Sequence, residues 1–180
     1  LSSESCALDA IKAEFIRHID PGEMVIIDDS GVRSTIYAEP EKIDKKLCVF
    51  EYIYFARGDS HIDGQSVYQS RLNMGRELYN ETKYDADIVM SIPDSGTTAA
   101  LGYARASGIP FAEGLVKNRY SGRTFIKPNQ EERELAVRMK LNPLPHVVSG
   151  KRIVLIDDSI VRGTTSGIIV KMLKEAGAKE

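Results

Sequence analysis

The chain has 180 residues, of which 42% are apolar, and its formal net charge is −2. This length allows one complete domain and part of another, and the apolar fraction is typical of a globular protein with a buried core. The slight acidity gives no general reason to expect nucleic-acid binding, and no apolar run approaches the ~18 residues of a membrane span. Two cysteines favour a reducing compartment, so we expect a cytoplasmic protein.

Residues 1–46 differ from the rest of the chain in their pattern of predicted elements. Apolar spacing predicts a helix over residues 5–16, and residues 24–27 are typical of a short strand. The acidic turn at residues 28–31 leads into a second predicted strand over residues 32–38, and together they predict a hairpin. A polar linker over residues 39–46 then marks a domain boundary, so we predict domains at 1–46 and 47–180.

Strands and helices alternate in the second block. The predicted strands are residues 47–56, 87–92, 109–114 and 153–156, and the first of these is rich in Val, Phe, Tyr and Ile. Predicted helices cover residues 66–80, 131–141 and 164–176, and a further helix of small residues follows residues 93–96 and ends at Ala106. Residues 117–130 are predicted to form a long loop. This alternation predicts an α/β fold with a doubly wound, mainly parallel sheet.

The richest segment for function is residues 153–167. Its four apolar residues end in the acidic pair Asp157 and Asp158, and a short turn then delivers Thr164 and Thr165 to the start of a helix. Ligands of open α/β sheets bind at the carboxyl ends of the strands, and amides at a helix start bind anions. Carboxylates suit sugar hydroxyls or Mg²⁺. Helix capping alone would explain an isolated acidic pair, but the whole pattern predicts a sugar-phosphate site.

Two further loops are predicted to reach the same sheet edge. Residues 93–98 place a glycine and several hydroxyls at a helix start, which suits a second phosphate or Mg²⁺. Residues 117–127 have no acidic residue and four cations: Lys117, Arg119, Arg123 and Lys127. A basic loop is usually a solvated surface, but hinged at Gly122 it could also close over a pyrophosphate.

Residues 153–167 resemble the phosphoribosyl-pyrophosphate (PRPP) signature of type I phosphoribosyltransferases. Four segments together, residues 48–57, 66–71, 117–126 and 156–165, resemble the amidophosphoribosyltransferase family, and the similarity covers residues 47–180. The resemblance implies that residues 1–46 are the tail of an N-terminal nucleophile hydrolase glutaminase domain. It also implies phosphoribosyl transfer from PRPP to ammonia derived from glutamine, giving 5-phosphoribosylamine and pyrophosphate in de novo purine synthesis.

The resemblance also assigns roles to individual residues. It implies catalytic roles for Lys117, Tyr54, Asp157 and Asp158, and Mg²⁺ ligation by Ser95 and the acidic pair. The PRPP-binding residues that it implies are Asp94, Ser95, Gly96, Lys117, Arg119, Asp157, Asp158, Ser159, Ile160, Val161, Arg162, Gly163, Thr164 and Thr165. Purine nucleotides are implied inhibitors, and a homo-oligomer is implied as the assembly.

Two features depart from the family pattern. The family nucleophile is an N-terminal cysteine, whereas this chain begins with Leu1, and we interpret Cys6 as a core residue of a helix. Residue 1 is Leu rather than Met, and residues 175–180 lie where a helix ends and another strand should begin. Both ends of the chain therefore look cut, and we expect a segment of a larger polypeptide. Cys48 corresponds to a [4Fe–4S] ligand in one branch of the family, although a buried strand cysteine is the alternative.

Two other functions are compatible with a PRPP fold. A PRPP-sensing regulator would keep the binding site without catalysis, and a salvage phosphoribosyltransferase would use a purine or pyrimidine base. The basic loop, the strand bearing Tyr54 and the glutaminase-like tail favour the amidotransferase.

Overall fold

The computed structural model describes residues 1–120 and 130–180, with the backbone alone for 130–133. Its helices are α1 (Ser5–Ala10), a 3₁₀ turn (Pro40–Lys42), a π-helix (Glu51–Phe55), α2 (Val67–Glu81), α3 (Thr97–Ser107), α4 (Gln130–Lys140), α5 (Pro145–Val148) and α6 (Thr164–Glu175). Its strands are β1 (Glu23–Asp28), β2 (Gly31–Ile36), β3 (His61–Ile62), β4 (Gln65–Ser66), β5 (Ile88–Ser91), β6 (Leu115–Lys117), β7 (Leu141–Pro143) and β8 (Ile153–Ile156).

The N-terminal block contains the predicted hairpin but a shorter helix than predicted. Strands β1 and β2 pair antiparallel, with Asp28 opposite Gly31 at the turn. The helix predicted over residues 5–16 ends at Ala10, because Lys12 adopts a left-handed φ of 56° that interrupts the helical backbone. Cys6 is buried, as predicted for a core residue.

The predicted strand over residues 47–56 is wrong. The chain forms a π-helix there, in which the amide of Ala56 donates to the carbonyl of Glu51 at 3.1 Å. The carbonyls of Tyr52 in this π-helix and of Ala56 just after it accept from the side chain of Arg71 in α2 rather than from a neighbouring strand. The alternative that Cys48 is a buried strand cysteine is also wrong, because Cys48 is exposed.

The central sheet is parallel where it positions the loops. Strands β5 and β8 pair in parallel, with Ser91 opposite Ile156, and Phe111 forms a parallel bridge to Val89 on the other side of β5. Of the strand predicted over residues 109–114 only this bridge forms, and the regular strand β6 follows it. Strand β6 pairs antiparallel with β7 in a separate two-stranded sheet.

Helices cover both faces of this sheet, as expected for a doubly wound fold. Successive residues of β5 point to opposite faces, so Val89 and Met90 belong to different clusters. The first cluster packs α3 on the sheet through Val89, Ala100, Tyr103, Ala104 and Ile156. The second packs α4, α5 and α6 on the other face through Met90, Leu115, Val137, Leu141, Val148, Ile168, Ile169, Met172 and Leu173.

Within residues 1–120 and 130–180, none of the helices has the length and apolar character needed to span a membrane.

Candidate functional site

Two loops meet at the carboxyl edge of the sheet because β5 and β8 are paired in parallel. The amide of Ile92 donates to the carbonyl of Ile156 at 2.9 Å, so the two strands leave the sheet side by side. Ser95 from the first loop and Asp157 and Asp158 from the second then line one cleft of about 190 Å³. The sequence prediction that these residues converge therefore agrees with their positions in the fold.

Gly96 allows the two loops to touch. A Cβ at this position would lie 2.8 Å from the carbonyl oxygen of Ile156 and 3.2 Å from the Cα of Asp157. The contact is between backbones, so any larger residue would push the loops apart. Below it, the hydroxyls of Ser91 and Thr97 lie 3.1 Å apart and tie the strand end to the start of α3.

The acidic pair is held by its own loop. The amide of Asp158 donates to Oδ1 of Asp157 at 2.9 Å, and the hydroxyl of Ser159 donates to Oδ1 of Asp158 at 2.6 Å. Burial raises the pKa of Asp157; the amide of Asp158 opposes this shift, and the carboxylate of Asp158 adds to it. The loop thus holds two carboxyl groups at the cleft wall, where they can accept hydrogen bonds from hydroxyls.

The turn after the acidic pair offers backbone groups rather than side chains. Ile160 and Val161 are exposed, at 72% and 90%, and Arg162 is exposed too. Gly163 takes a left-handed φ of 69° and directly precedes α6, whose first residues are Thr164 and Thr165. The first amides of a helix have no partner within the helix, so this end is suited to an anion.

Lys117 brings positive charge to the same edge. It stands at the end of β6, and its Nζ forms an ion pair with the carboxylate of Asp94 in the loop after β5, where the Pro93–Asp94 peptide bond is cis. Arg119 is exposed just beyond. The predicted closing function of the basic loop depends on Gly122, Arg123 and Lys127, which lie outside the described residues.

The inner wall of the cleft was not predicted from the sequence. It is mostly apolar and comes from the π-helix, α2 and α3, through Ile53, Arg71, Met74, Gly75, Leu78 and Ala99. Tyr54 is exposed, and its ring packs against Phe50 and Phe55 at centroid distances of 6.1 and 4.5 Å, beside the cleft-lining Ile53. Residues 47–56 were predicted as a strand, so nothing in the sequence indicated that a π-helix lines the cleft.

Among the described residues, no group of three or more His, Cys, Asp or Glu side chains could hold a metal ion. Asp157, Asp158 and Ser95 nevertheless fit Mg²⁺, which prefers oxygen ligands and often takes only one or two carboxylates beside substrate phosphates. Cys48 is exposed and could be one ligand of a cluster, but a [4Fe–4S] cluster needs further cysteines.

The chain is similar along its entire length to curated amidophosphoribosyltransferases. It is 57% identical to that of Synechocystis sp., 56% to that of Archaeoglobus fulgidus and 53% to that of Bacillus subtilis, in each case over 180 residues. It spans 36–39% of the length of these relatives. No protein-family model matches the chain.

Solved structures show the same similarity. The glutamine PRPP amidotransferase of B. subtilis complexed with ADP and GMP superimposes with a TM-score of 0.88 at 53% identity, covering 99% of this chain and 39% of that one. A structure described as the allosteric regulatory enzyme of purine biosynthesis gives the same score and identity, with 38% of its chain covered.

Proposed function

Because the chain belongs to the amidophosphoribosyltransferase family, we propose that it provides the phosphoribosyl-transfer site of an enzyme that makes 5-phosphoribosylamine from PRPP and ammonia. The observation that carries the proposal is the convergence of Ser95, Asp157 and Asp158 on one cleft beside the start of α6. Glutamine would supply the ammonia in the whole protein, with residues 1–46 as part of its glutaminase domain and residues 47–180 as the transferase domain.

The 5-phosphate of PRPP would bind at the start of α6. Amides from the turn of residues 159–163 and the hydroxyls of Thr164 and Thr165 would donate to the phosphate oxygens, and the helix dipole favours the negative charge. The exposure of Ile160 and Val161 supports this assignment. Because these side chains extend into solvent, they do not block the approach of a phosphate to the backbone amides of the turn.

The ribose would lie against the acidic pair. Carboxylates of Asp157 and Asp158 would accept hydrogen bonds from the ribose 2- and 3-hydroxyls, which fixes the ring beside the bound phosphate. Their negative charge would also stabilise positive charge that develops on the ring when the bond at C1 breaks. Half-burial of the pair strengthens this interaction relative to bulk water.

The pyrophosphate would face Lys117 and the loop after β5. PRPP oxygens would compete with Asp94 for the Lys117 ammonium, and Ser95, Gly96 and Arg119 would complete the anion site. Bound Mg²⁺, held by Ser95, Asp157 and Asp158 with substrate oxygens, would neutralise the leaving group.

The reaction exchanges one bond at C1 of the ribose. The C1–O bond breaks and pyrophosphate leaves with the electron pair, while the ammonia nitrogen forms the C1–N bond and then loses a proton to the surroundings. No covalent intermediate with the protein is needed, so catalysis comes from positioning and electrostatics. The apolar wall around Ile53 and Met74 would limit the access of water to C1.

The test supplies the full-length protein with PRPP, Mg²⁺ and either glutamine or ammonium, and follows pyrophosphate and amine formation. We expect equal amounts of both products, and a loss of at least about 100-fold in the Asp157→Asn, Asp158→Asn double variant. The hairpin offers a matched control in Asp28→Asn, Asp29→Asn, which removes another acidic pair far along the chain. PRPP binding with no amine formation from either donor would instead indicate a sensor, and turnover only with a purine or pyrimidine base would indicate a salvage enzyme.

Three further properties belong to the same proposal. Purine nucleotides would inhibit, which the complex of the B. subtilis relative with ADP and GMP supports. A homo-oligomer would be the working assembly, and the cytoplasm would be the location, where free thiols such as Cys48 stay reduced.

A further inference from the structure

Arg71 is an arginine that the proposed chemistry does not use and that lies almost entirely inside the protein. Its exposure is 8%, and it projects from α2 into the wall of the cleft that also contains Asp158. A buried guanidinium is costly unless its N–H groups are bonded, so its partners indicate what it does.

Its two bonded partners are a residue of the π-helix and the residue that directly follows this helix. Nε of Arg71 donates to the carbonyl of Tyr52 at 2.8 Å, and Nη2 donates to the carbonyl of Ala56 at 2.7 Å. The last carbonyls of a helix lack donors within the helix, and a cation there also interacts favourably with the helix dipole. One rigid guanidinium therefore spans the turn that contains Ile53 and Tyr54.

Other hydrogen bonds around this turn are made by residues that do not line the cleft. The Tyr52 hydroxyl donates to the carbonyl of Ile62 at 2.8 Å, which fixes the outer end of the turn. On the far side of Ala56, the carboxylate of Glu4 accepts from the amide of Arg57 at 2.8 Å and the hydroxyl of Ser60 at 2.9 Å. Burial lowers the pKa of Arg71, while the negative charges of Asp158 and Glu4 oppose that shift.

We propose that Arg71 is a positioning residue for the nitrogen acceptor: its guanidinium holds the π-helix so that Ile53 closes the cleft beside Asp157 and Asp158. This inference rests on the proposed function. The groups assigned to the phosphate and pyrophosphate of PRPP lie on other loops, at α6, Lys117 and Asp94. Loss of Arg71 should therefore affect the use of ammonia more than the binding of PRPP.

The experiment compares Arg71→Met and Arg71→Lys with Arg76→Met in the full-length protein. Methionine retains much of the apolar volume without the charge, and lysine keeps a charge but cannot donate to two carbonyls in a fixed fork. Arg76 is an exposed residue of the same helix that pairs with Glu77, so its substitution is a matched control. Ammonium-dependent turnover gives KM and kcat for each substrate, PRPP affinity is measured at equilibrium, and assays run well below each variant's Tm.

We expect kcat/KM for ammonia to fall about 10- to 100-fold in Arg71→Met and less in Arg71→Lys, with the Kd for PRPP changed by less than about twofold. Hydrogen exchange should accelerate at the amides of residues 53–57 in both Arg71 variants and stay unchanged in Arg76→Met.

Parallel losses of PRPP affinity and ammonia use, or unchanged ammonia use, would overturn the positioning role while the proposed function stood. An unmodified protein that releases no pyrophosphate with either nitrogen donor would instead refute the proposed function, and with it the acceptor role of Arg71. In that case, faster hydrogen exchange at the amides of residues 53–57 in the Arg71 variants would show only that Arg71 stabilises the local structure.

Discussion

Gly96 and Ile156 are in contact through their backbones at the centre of the candidate site. A Cβ on Gly96 would lie 2.8 Å from the carbonyl oxygen of Ile156, closer than real Cβ contacts allow. The φ of Gly96 is −71°, which any residue can adopt, so the requirement for glycine is steric rather than conformational. The distance between the loop of Ser95 and the loop of Asp157 therefore depends on this one missing side chain.

Replacement of Gly96 by alanine should separate the two loops. We expect the affinity for PRPP to fall at least about tenfold and the free energy of unfolding to fall by about 1–3 kcal/mol, because the clash is with backbone that cannot rotate away. Equilibrium PRPP binding and thermal melting measure the two effects. Gly167→Ala is the control: apart from its chain neighbours and the backbone of its own helix, no described atom lies within 4 Å of its Cβ position, and alanine favours the interior of α6. A Gly96→Ala variant with native affinity would contradict the close-contact argument.

Lys117 should contribute to binding much more than to stability. Its partner Asp94 is 78% exposed, and exposed ion pairs contribute about 0–1 kcal/mol to folding. In the Lys117→Gln variant we expect Tm to change little, while the KM for PRPP rises about 10- to 100-fold through loss of a cation at the pyrophosphate. Steady-state kinetics with ammonium measures the change.

Lys174→Gln serves as the comparison for Lys117, because Lys174 is an exposed lysine near the end of α6, remote from its N-terminus. Equal effects of the two substitutions would mean that only the overall charge matters. A large loss of Tm in Lys117→Gln with unchanged KM would mean that the lysine is structural.

The sequence predicted the structure correctly where the local residue pattern and the tertiary fold favour the same element. Residues 153–156 form a strand, and the acidic pair follows at its carboxyl end, because four apolar residues and a following turn permit little else. The Asp28–Gly31 hairpin turn formed for a related reason, since turn residues separate two strand-forming segments. Convergence of the loops at Ser95 and Asp157 then followed from parallel pairing alone.

The inner wall of the site could not be predicted in this way. Residues 47–56 have the composition of a strand, but residues 51–55 form a π-helix, and a buried cation from α2 bonds the carbonyls of Tyr52 and Ala56. Arg71 follows Tyr52 by 19 positions and Ala56 by 15 positions, so the periodicity of the sequence does not predict these contacts. The roles assigned to individual site residues from the family resemblance stay predictions, and those of Tyr54, Arg119 and Cys48 are among them.

The crossing of α2 and α3 depends on two glycines. A Cβ on Gly75 would lie 1.8 Å from the carbonyl oxygen of Ala99, and one on Gly102 would lie 2.1 Å from that of Leu72. Either alanine substitution should therefore separate the helices and lower the free energy of unfolding by about 2–4 kcal/mol, measured by denaturant titration. Arg105→Ala, at an exposed position of α3, should change it by less than about 0.5 kcal/mol. Full stability in Gly75→Ala would mean that the helices cross farther apart.

The opposite edge of the sheet should show a defined dependence of stability on pH. Asp87 accepts from the amide of Arg152 at 2.8 Å and from its Nη2 at 2.9 Å, and these bonds lower the pKa of Asp87 to about 2 from 3.8. Because the folded-state pKa is the lower one, the stabilisation is complete above the unfolded pKa of 3.8 and is lost as pH falls through about 2. Asp87→Asn should thus lower Tm at pH 7, and the Tm difference between this variant and the unmodified protein should shrink between about pH 4 and pH 2.

Asp85→Asn is the control for this prediction. The side chain of Asp85 is 86% exposed and makes one contact with Arg152, so its substitution should change Tm less at every pH. A Tm difference for Asp87→Asn that persisted unchanged at pH 2 would show that the carboxylate charge is not its source.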